Sequence, residues 1–512
     1  MVDIELSRRE FLKGCCATAA IAGAAPALLY SRPAFAGTPH DTLVHVFLRG
    51  GIDGLNLVVP TAGEDRIHYE QARPSLAIAA TGAYAALPLS LAGGTATGFG
   101  LHPSAIGLHE LWGESKLAIV HGCGMQTTVT RSHFDAQLYC DLGTPGQQGG
   151  GTGWLTRAWN SDPGAADNTA MPMLAVNTRQ PANMLGGTDA LSMGTPTDFA
   201  LNAGPWQWRE GGGGRAAGVL GVNDLLAEYL AGRSAVERQA ALAEQSLRMV
   251  RAQPYSAALP AGWPTSTFAR QLWTVAQSIR FGVGLRYAAV DLGGWDTHEG
   301  QGTAGSGYHY YQNKIAELSQ ALTAFYVEMA AGGEASRVTV VVQSEFGRRV
   351  RQNGSGGTDH GYGNPMLVLG GPVNGRRFYG QWMGLDPEVL SPYFGDIPVA
   401  TDFRRVLSEL LIRRMGNNRL GQVFPAYAGY APLGLFQGND MPPEYGTPPS
   451  SRTRLRALAR HRQPADGESI QGGMRATADT GGNRLARGLS ALRRKAVRAR
   501  MRVQRALARL AS

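Results

Sequence analysis

Two short loops in this chain concentrate groups that can hold a metal. One is Ser344-Glu345-Phe346-Gly347-Arg348 and the other is Gly357-Thr358-Asp359-His360-Gly361. The first follows an apolar run at residues 338–342 (VTVVV), which reads as a buried parallel strand, and the second precedes another at 366–369 (MLVL). Carboxylates and imidazoles at strand ends are where α/β proteins keep metals and catalytic groups. Glu345 follows five apolar or β-branched residues and needs a partner, because an unpaired buried carboxylate is costly. That partner is either a metal or a neighbouring guanidinium, Arg348 or Arg349. Asp359 and His360 converge on one ion if the loop turns tightly; otherwise they are an Asx turn and an exposed histidine.

Two further groups share this pattern. Asp296 and His298 lie two apart after the apolar run at 287–292, so in extended chain both point the same way and can grip one ion. Asp291, five residues upstream, is a substitute ligand. Asp53 sits just past the run at 43–48, between Gly51 and Gly54, where the backbone can approach an ion or make an ordinary turn. The candidate ligands are therefore Asp53, Asp296, His298, Glu345, Asp359 and His360. Mixed carboxylate and imidazole donors suit zinc, manganese or iron, whereas all-oxygen sites suit magnesium or calcium. Thr130-Arg131-Ser132-His133 supplies the nucleophile candidates. Ser132 or Thr130 can attack beside a helix N-terminus, and Arg131 can neutralise a phosphate or sulfate oxygen. Ser132 is equally an ordinary N-cap.

The elements that must position these groups follow from periodicity. Strands are expected at 43–48, 117–120, 173–176, 287–292 and 338–342. Helices are expected from Thr130-Arg131-Ser132-His133 onward and over 234–250, 267–279, 308–331 and 403–415, the last capped by Thr401-Asp402. Strands alternating with helical crossovers of this length imply a mostly parallel sheet.

Both ends of the 512-residue chain read differently from this core. Ser7-Arg8-Arg9-Glu10-Phe11-Leu12-Lys13, an Ala-rich stretch and Ala34-Phe35-Ala36 form a twin-arginine signal with a cleavage site. Residues 1–36 are thus expected to engage the twin-arginine export machinery, placing the folded protein in the periplasm or outside the cell. Cys123 and Cys140 remain after cleavage and are either a disulfide or two buried thiols. Residues 441–512 hold sixteen Lys plus Arg against four Asp plus Glu, a net +12; the whole chain is +9, so the remainder is −3. The basic character belongs to this tail, and no specific nucleic-acid binding is expected from it. Residues 485–510 can form a basic amphipathic helix that contacts an anionic membrane or polyanion, or remain a solvated disordered tail.

FLRGGIDGLN, TRSHFDAQ, GGWDTH, SEFGR and GTDHG, in this order behind an export signal, resemble the exported bacterial family called domain of unknown function 1501. The resemblance spans about residues 44–434. It implies the alkaline phosphatase, sulfatase and phosphoglycerate mutase superfamily: a three-layer α/β fold with a mostly parallel central sheet flanked by helices, over residues 37–440. It also implies one or two divalent ions, zinc or manganese, and hydrolysis of an anionic phosphate or sulfate ester, the alternative being a non-catalytic periplasmic binding or assembly protein. Asp53 matches the superfamily's first-strand metal aspartate, and Ser132 or Thr130 its nucleophile. Asp296 and His298 match its Asp…His pair, and His360 its last histidine. Phe346 departs from the pattern, standing where the superfamily has a ligating histidine, and Asp359 is the residue placed to fill that vacancy.

Overall fold

In the computed structural model the described residues are 40–148, 151–165, 169, 171–177, 179–194, 253–392 and 395–446. The expected signal segment, the helix expected over 234–250 and the one considered for 485–510 lie outside them.

β1 (Thr42–Leu48) is buried along its whole length, as a β-branched and apolar run in mid-sheet must be. A small antiparallel sheet of β2 (Val58–Pro60), β3 (Leu87–Ser90) and β4 (Ala96–Leu101) follows. The main sheet adds β5 (Leu117–Gly124), β6 (Met173–Ala175), β7 (Ala190–Ser192), β8 (Tyr287–Leu292) and β9 (Val338–Ser344). A hairpin of β10 (Arg348–Gln352) and β11 (Thr358–His360) then leads to β12 (Asn364–Gly370), β13 (Phe378–Tyr379) and β14 (Thr401–Asp402). The main sheet runs β13-β5-β12-β9-β1-β8-β6-β7, with β14 beside β5. Its pairings are parallel except those of β12, which is antiparallel to both β5 and β9. The fold is therefore mixed α/β with a large, mostly parallel central sheet.

Strand alternation divides the core. Val44, Val46, Val340, Val342 and Leu367 belong to one apolar cluster together with residues of the helices Ile106–Gly113, Thr267–Arg280 and Tyr310–Ala331. Leu43, Phe47, Val120, Val341 and Val368 belong to the other, with the helices His133–Leu142, Trp154–Ser161 and Phe403–Arg413. The helix boundaries have local causes. The Ser132 hydroxyl accepts from Asp135 N at 3.3 Å, and Gly143, at φ 65°, ends that helix in the left-handed conformation. Asp402 caps Phe403–Arg413 by accepting from Arg404 N at 2.9 Å. Cys123 and Cys140, one of whose expected states was a disulfide, are both buried and free. Among the described residues no helix is long and apolar enough to cross a membrane.

One core residue makes acid a weak point. His45 lies in mid-β1, its ring edge-on to Trp154 and its Nε2 3.2 Å from Gln343 Oε1. Burial lowers its pKa from 6.5 to about 4, against a smaller upward pull from the Gln343 hydrogen bond. The native state thus refuses a proton that the unfolded chain takes up below about pH 6.5. Stability is expected to fall as pH drops from about 6.5 and to stop falling from this cause below about 4, a loss of ~3 kcal/mol. Urea unfolding across that range checks this. His45→Leu should lose this part of the slope; an unchanged slope would remove His45 as its source.

Candidate metal centre

The carboxyl ends of β5, β1, β8 and β9 lie on one edge of the sheet, and the segments leaving them meet there. The segment after β5 reaches His133 at the start of a helix, that after β8 carries Asp296 and His298, and that after β9 carries Glu345. The β10–β11 hairpin brings His360 back to the same place.

Four side chains converge. One ligand atom from each of His133, Asp296, His298 and His360 lies within 4.8 Å of all the others. Asp296 Oδ1 is 3.2 Å from His133 Nε2, 3.2 Å from His298 Nε2 and 3.7 Å from His360 Nε2. His298 Nε2 and His360 Nε2 are 2.7 Å apart. On each imidazole the other nitrogen faces an oxygen. His133 Nδ1 is 2.8 Å from Glu345 Oε1, His298 Nδ1 is 3.1 Å from Asp359 Oδ1, and His360 Nδ1 is 2.6 Å from the Arg131 carbonyl oxygen.

These contacts assign the tautomers. Carboxylate and carbonyl oxygens accept only, so each Nδ1 carries a hydrogen, and in the neutral rings each Nε2 presents a lone pair. Three lone pairs and a carboxylate oxygen then point into one small volume. The His133 Nε2–Asp296 contact is accordingly acceptor to acceptor, and His133 Nε2 is buried without a hydrogen-bond donor. Such an array repels itself until a cation joins it. Ligating histidines backed by carboxylates or carbonyls are the usual second layer of metal sites. The chemistry of the donor set therefore fits a divalent cation, and this His/Asp cluster could hold one.

The surroundings fix the charges. Burial pushes the Glu345 carboxyl up, but hydrogen bonds from His133, Gln137 and the Gly50 amide outweigh it and hold it below its ordinary value. Asp296 is likewise lowered despite burial, through its hydrogen bond and charge pairing with Arg348, whose Nη2 is 2.6 Å away. Asp359 is lowered by the Asn353 hydrogen bond above all, then by His298 and Arg349 against the effect of burial. His360 is pushed down to about 4, first by burial and then by His133 and Arg348. Close packing needs glycine at two places. A Cβ on Gly50, at φ 124°, would stand 2.5 Å from Asp296 N, and one on Gly51, at φ 70°, would stand 2.7 Å from the Phe346 ring.

The structure distributes the sequence candidates over distinct places. Asp296, His298 and His360 join the cluster directly. Glu345 and Asp359 stand behind His133 and His298, so Asp359 fills no ligand vacancy. Contrary to expectation, Asp53 is absent from the cluster: its carboxylate is fully buried and receives both arms of Arg73, at 2.6 and 2.8 Å, plus Gln301 Nε2 at 2.6 Å. Asp291 pairs with Arg49 at 3.0 Å. Ser132 caps its helix, and Thr130 Oγ1 accepts from Ser132 N at 3.2 Å. The Arg131 guanidinium donates to the His360 carbonyl and to Asp396, over the Tyr362 ring, and so holds the segment. Arg348, a candidate partner for Glu345, pairs instead with Asp296. Sequence reasoning did not nominate His133 as a ligand. Its available signal was a histidine at the first turn of a helix that follows a strand of the same sheet. Phe346 cannot ligate, and its ring lies 4.7 Å from that of His133 and 5.0 Å from that of His360, forming the apolar back of the cluster.

Fold and site together define a mixed α/β protein with a candidate three-histidine, one-aspartate metal centre at the carboxyl edge of a mostly parallel sheet. Residues 226–392 match the model of a family described as "Protein of unknown function (DUF1501)", which supports placing the chain in that family. The matched segment holds Asp296, His298, Glu345, Asp359 and His360 but neither His133 nor Asp53. No curated protein and no solved structure matches the chain.

Proposed function

We propose that the chain is an exported metal-dependent hydrolase of phosphate or sulfate esters, on an alkaline phosphatase-type fold, holding one ion of zinc or manganese. The observation that carries this is the convergence of three bare Nε2 atoms and Asp296 Oδ1, each imidazole backed by an acceptor. One ion is favoured over two because Asp53 and Glu345, the residues that would serve a second, are saturated by Arg73 and Gln301 and by His133, Gln137 and Gly50.

His133, Asp296, His298 and His360 would hold the divalent ion, which would supply polarisation of an ester oxygen and a lowered pKa at the attacking oxygen. The side chains of Asp296 and His298 are 51% and 42% exposed. That openness suits an approaching substrate better than a closed structural site does. Ser132 and Thr130, on the segment that ends in His133, are the hydroxyl candidates for attack. The N-terminus of the helix His133–Leu142 favours the negative charge of the ester beside them. Export by the twin-arginine machinery, and contact of the basic tail with an anionic membrane or polyanion, are part of the same proposal and rest on sequence alone.

The test is elemental analysis of protein recovered from the periplasm, followed by assay on aryl phosphates and aryl sulfates with zinc or manganese added. About one ion per chain and turnover that stops on chelation are expected. Protein free of metal and inert on both ester classes sinks the proposal. One observation favours a second reading, a non-catalytic binding or assembly protein: the Ser132 hydroxyl is engaged in a helix cap and Arg131 in Asp396. Bound metal without turnover selects that reading.

A further inference from the structure

Beside the metal centre lies a cavity of about 490 Å³ that the chemistry above does not use. The helix Gly63–Ala72 contributes His68 to its wall, β10 contributes Arg349 and Arg351, and the loop after β13 contributes Leu385 and Leu390. Asp359 lines it too, and this is the carboxylate whose Oδ1 faces His298 Nδ1. The cavity and the His298 imidazole of the candidate centre are thus separated by one side chain.

Its lining sets the ligand class. Arg349, Arg351 and His68 line it together with one carboxylate, Asp359, so the wall favours an anion. Arginine forks suit phosphate and sulfate oxygens in particular. Leu390, packed on the core cluster that holds the buried Leu385, and the exposed Pro387 supply an apolar side. The volume is that of a small-molecule site. Arg349 Nη1 stands 3.9 Å from Asp359 Oδ2, whereas His298 uses Oδ1, so an anion taken up by Arg349 leaves the Asp359–His298 contact in place. We propose that this cavity binds an organic phosphate or sulfate with an apolar body, held by Arg349 and Arg351 against Leu390 and Pro387. Naming that ligand a substrate rests on the hydrolase reading; its binding does not, because none of these contacts involves the metal.

Isothermal titration of the full chain, stripped of metal with EDTA, with 1-naphthyl phosphate tests the site. Saturable one-to-one binding is expected. Arg351→Gln, at an exposed side chain, and Arg349→Gln should each weaken it at least about tenfold. His133→Ala should leave it within about twofold, because His133 is not in the cavity wall. Absent binding in the stripped protein, unchanged affinity in both arginine variants, or loss in His133→Ala overturns the proposal. Inorganic phosphate binding as tightly as the naphthyl ester overturns it as well, since the apolar wall then contributes nothing. Circular dichroism confirms that each variant is folded, and Arg351→Gln keeps the test decisive if Arg349→Gln is not. A protein that binds the naphthyl ester yet never turns over an ester leaves this proposal standing and ends the hydrolase reading.

Discussion

His133→Ala is expected to lower zinc affinity more than a hundredfold while leaving the fold intact. On the scale of structural zinc sites, ~10–16 kcal/mol over four ligands, one ligand here would supply on the order of 3 kcal/mol, and 1.4 kcal/mol is tenfold. His133 sits in the first turn of its helix with 18% of its side chain exposed, and truncating it leaves the Ser132 cap in place. Glu345→Gln should cost less, about 10–100-fold, the usual effect of losing a partner behind a ligand. The glutamine oxygen can still accept from His133 Nδ1, but the charge that makes the imidazole a better donor is gone. The order His133→Ala worse than Glu345→Gln, with Asp359→Asn resembling the latter, follows from which atoms face the cluster. Titration against a chelator of known affinity reads it. Equal affinity in wild type and His133→Ala would falsify the assignment of this nitrogen as a ligand.

Most of the scaffold was legible in the sequence because its strands are long, continuous apolar runs, which only a sheet covered on both faces requires. The runs at 43–48, 117–120, 287–292 and 338–342 all became neighbours or near neighbours in the main sheet. The orientation of β12 was not legible, since residues 366–369 bury equally well in either direction. Within the site, Asp296, His298 and His360 were recoverable because each follows or ends a strand inside a glycine-rich turn. His133 is hard to recognise because the hydroxyls of its four-residue motif invite the nucleophile reading, and a helix start offers them a plain structural use. Glu345 and Asp359 show a more general limit. Sequence identifies a carboxylate at the right edge of the sheet, but whether its oxygen meets an ion or an imidazole N–H depends on about 3 Å of displacement, which spacing does not encode. The pairing of Asp53 was not legible for a related reason: its partner Arg73 is twenty residues away, on the far side of a helix, and nothing local announces it.

The largest stability effect is expected at that pair. Arg73 and Asp53 are both fully buried and joined through two bonds, at 2.6 and 2.8 Å. Arg73 also donates to the carbonyls of Val350 and Arg349 and to Asn56 Oδ1, tying the helix Gly63–Ala72 to β10. Arg73→Met leaves a buried carboxylate with Gln301 as its remaining charge-stabilising donor, together with two carbonyls of β10 that lose a partner. Breaking a buried pair from one side typically costs ~3–5 kcal/mol, a large share of the 5–15 kcal/mol that holds most domains folded. Asp53→Leu with Arg73→Met removes both charges and should recover a substantial part of that loss, because well-packed apolar pairs often match buried ion pairs. Urea unfolding of the three proteins measures the ordering. The folded fraction of each should still bind one metal ion, since neither residue touches His133, Asp296, His298 or His360. If Asp53→Asn instead abolished metal binding while barely changing stability, Asp53 would return to the ligand set and the centre would have to hold a second ion.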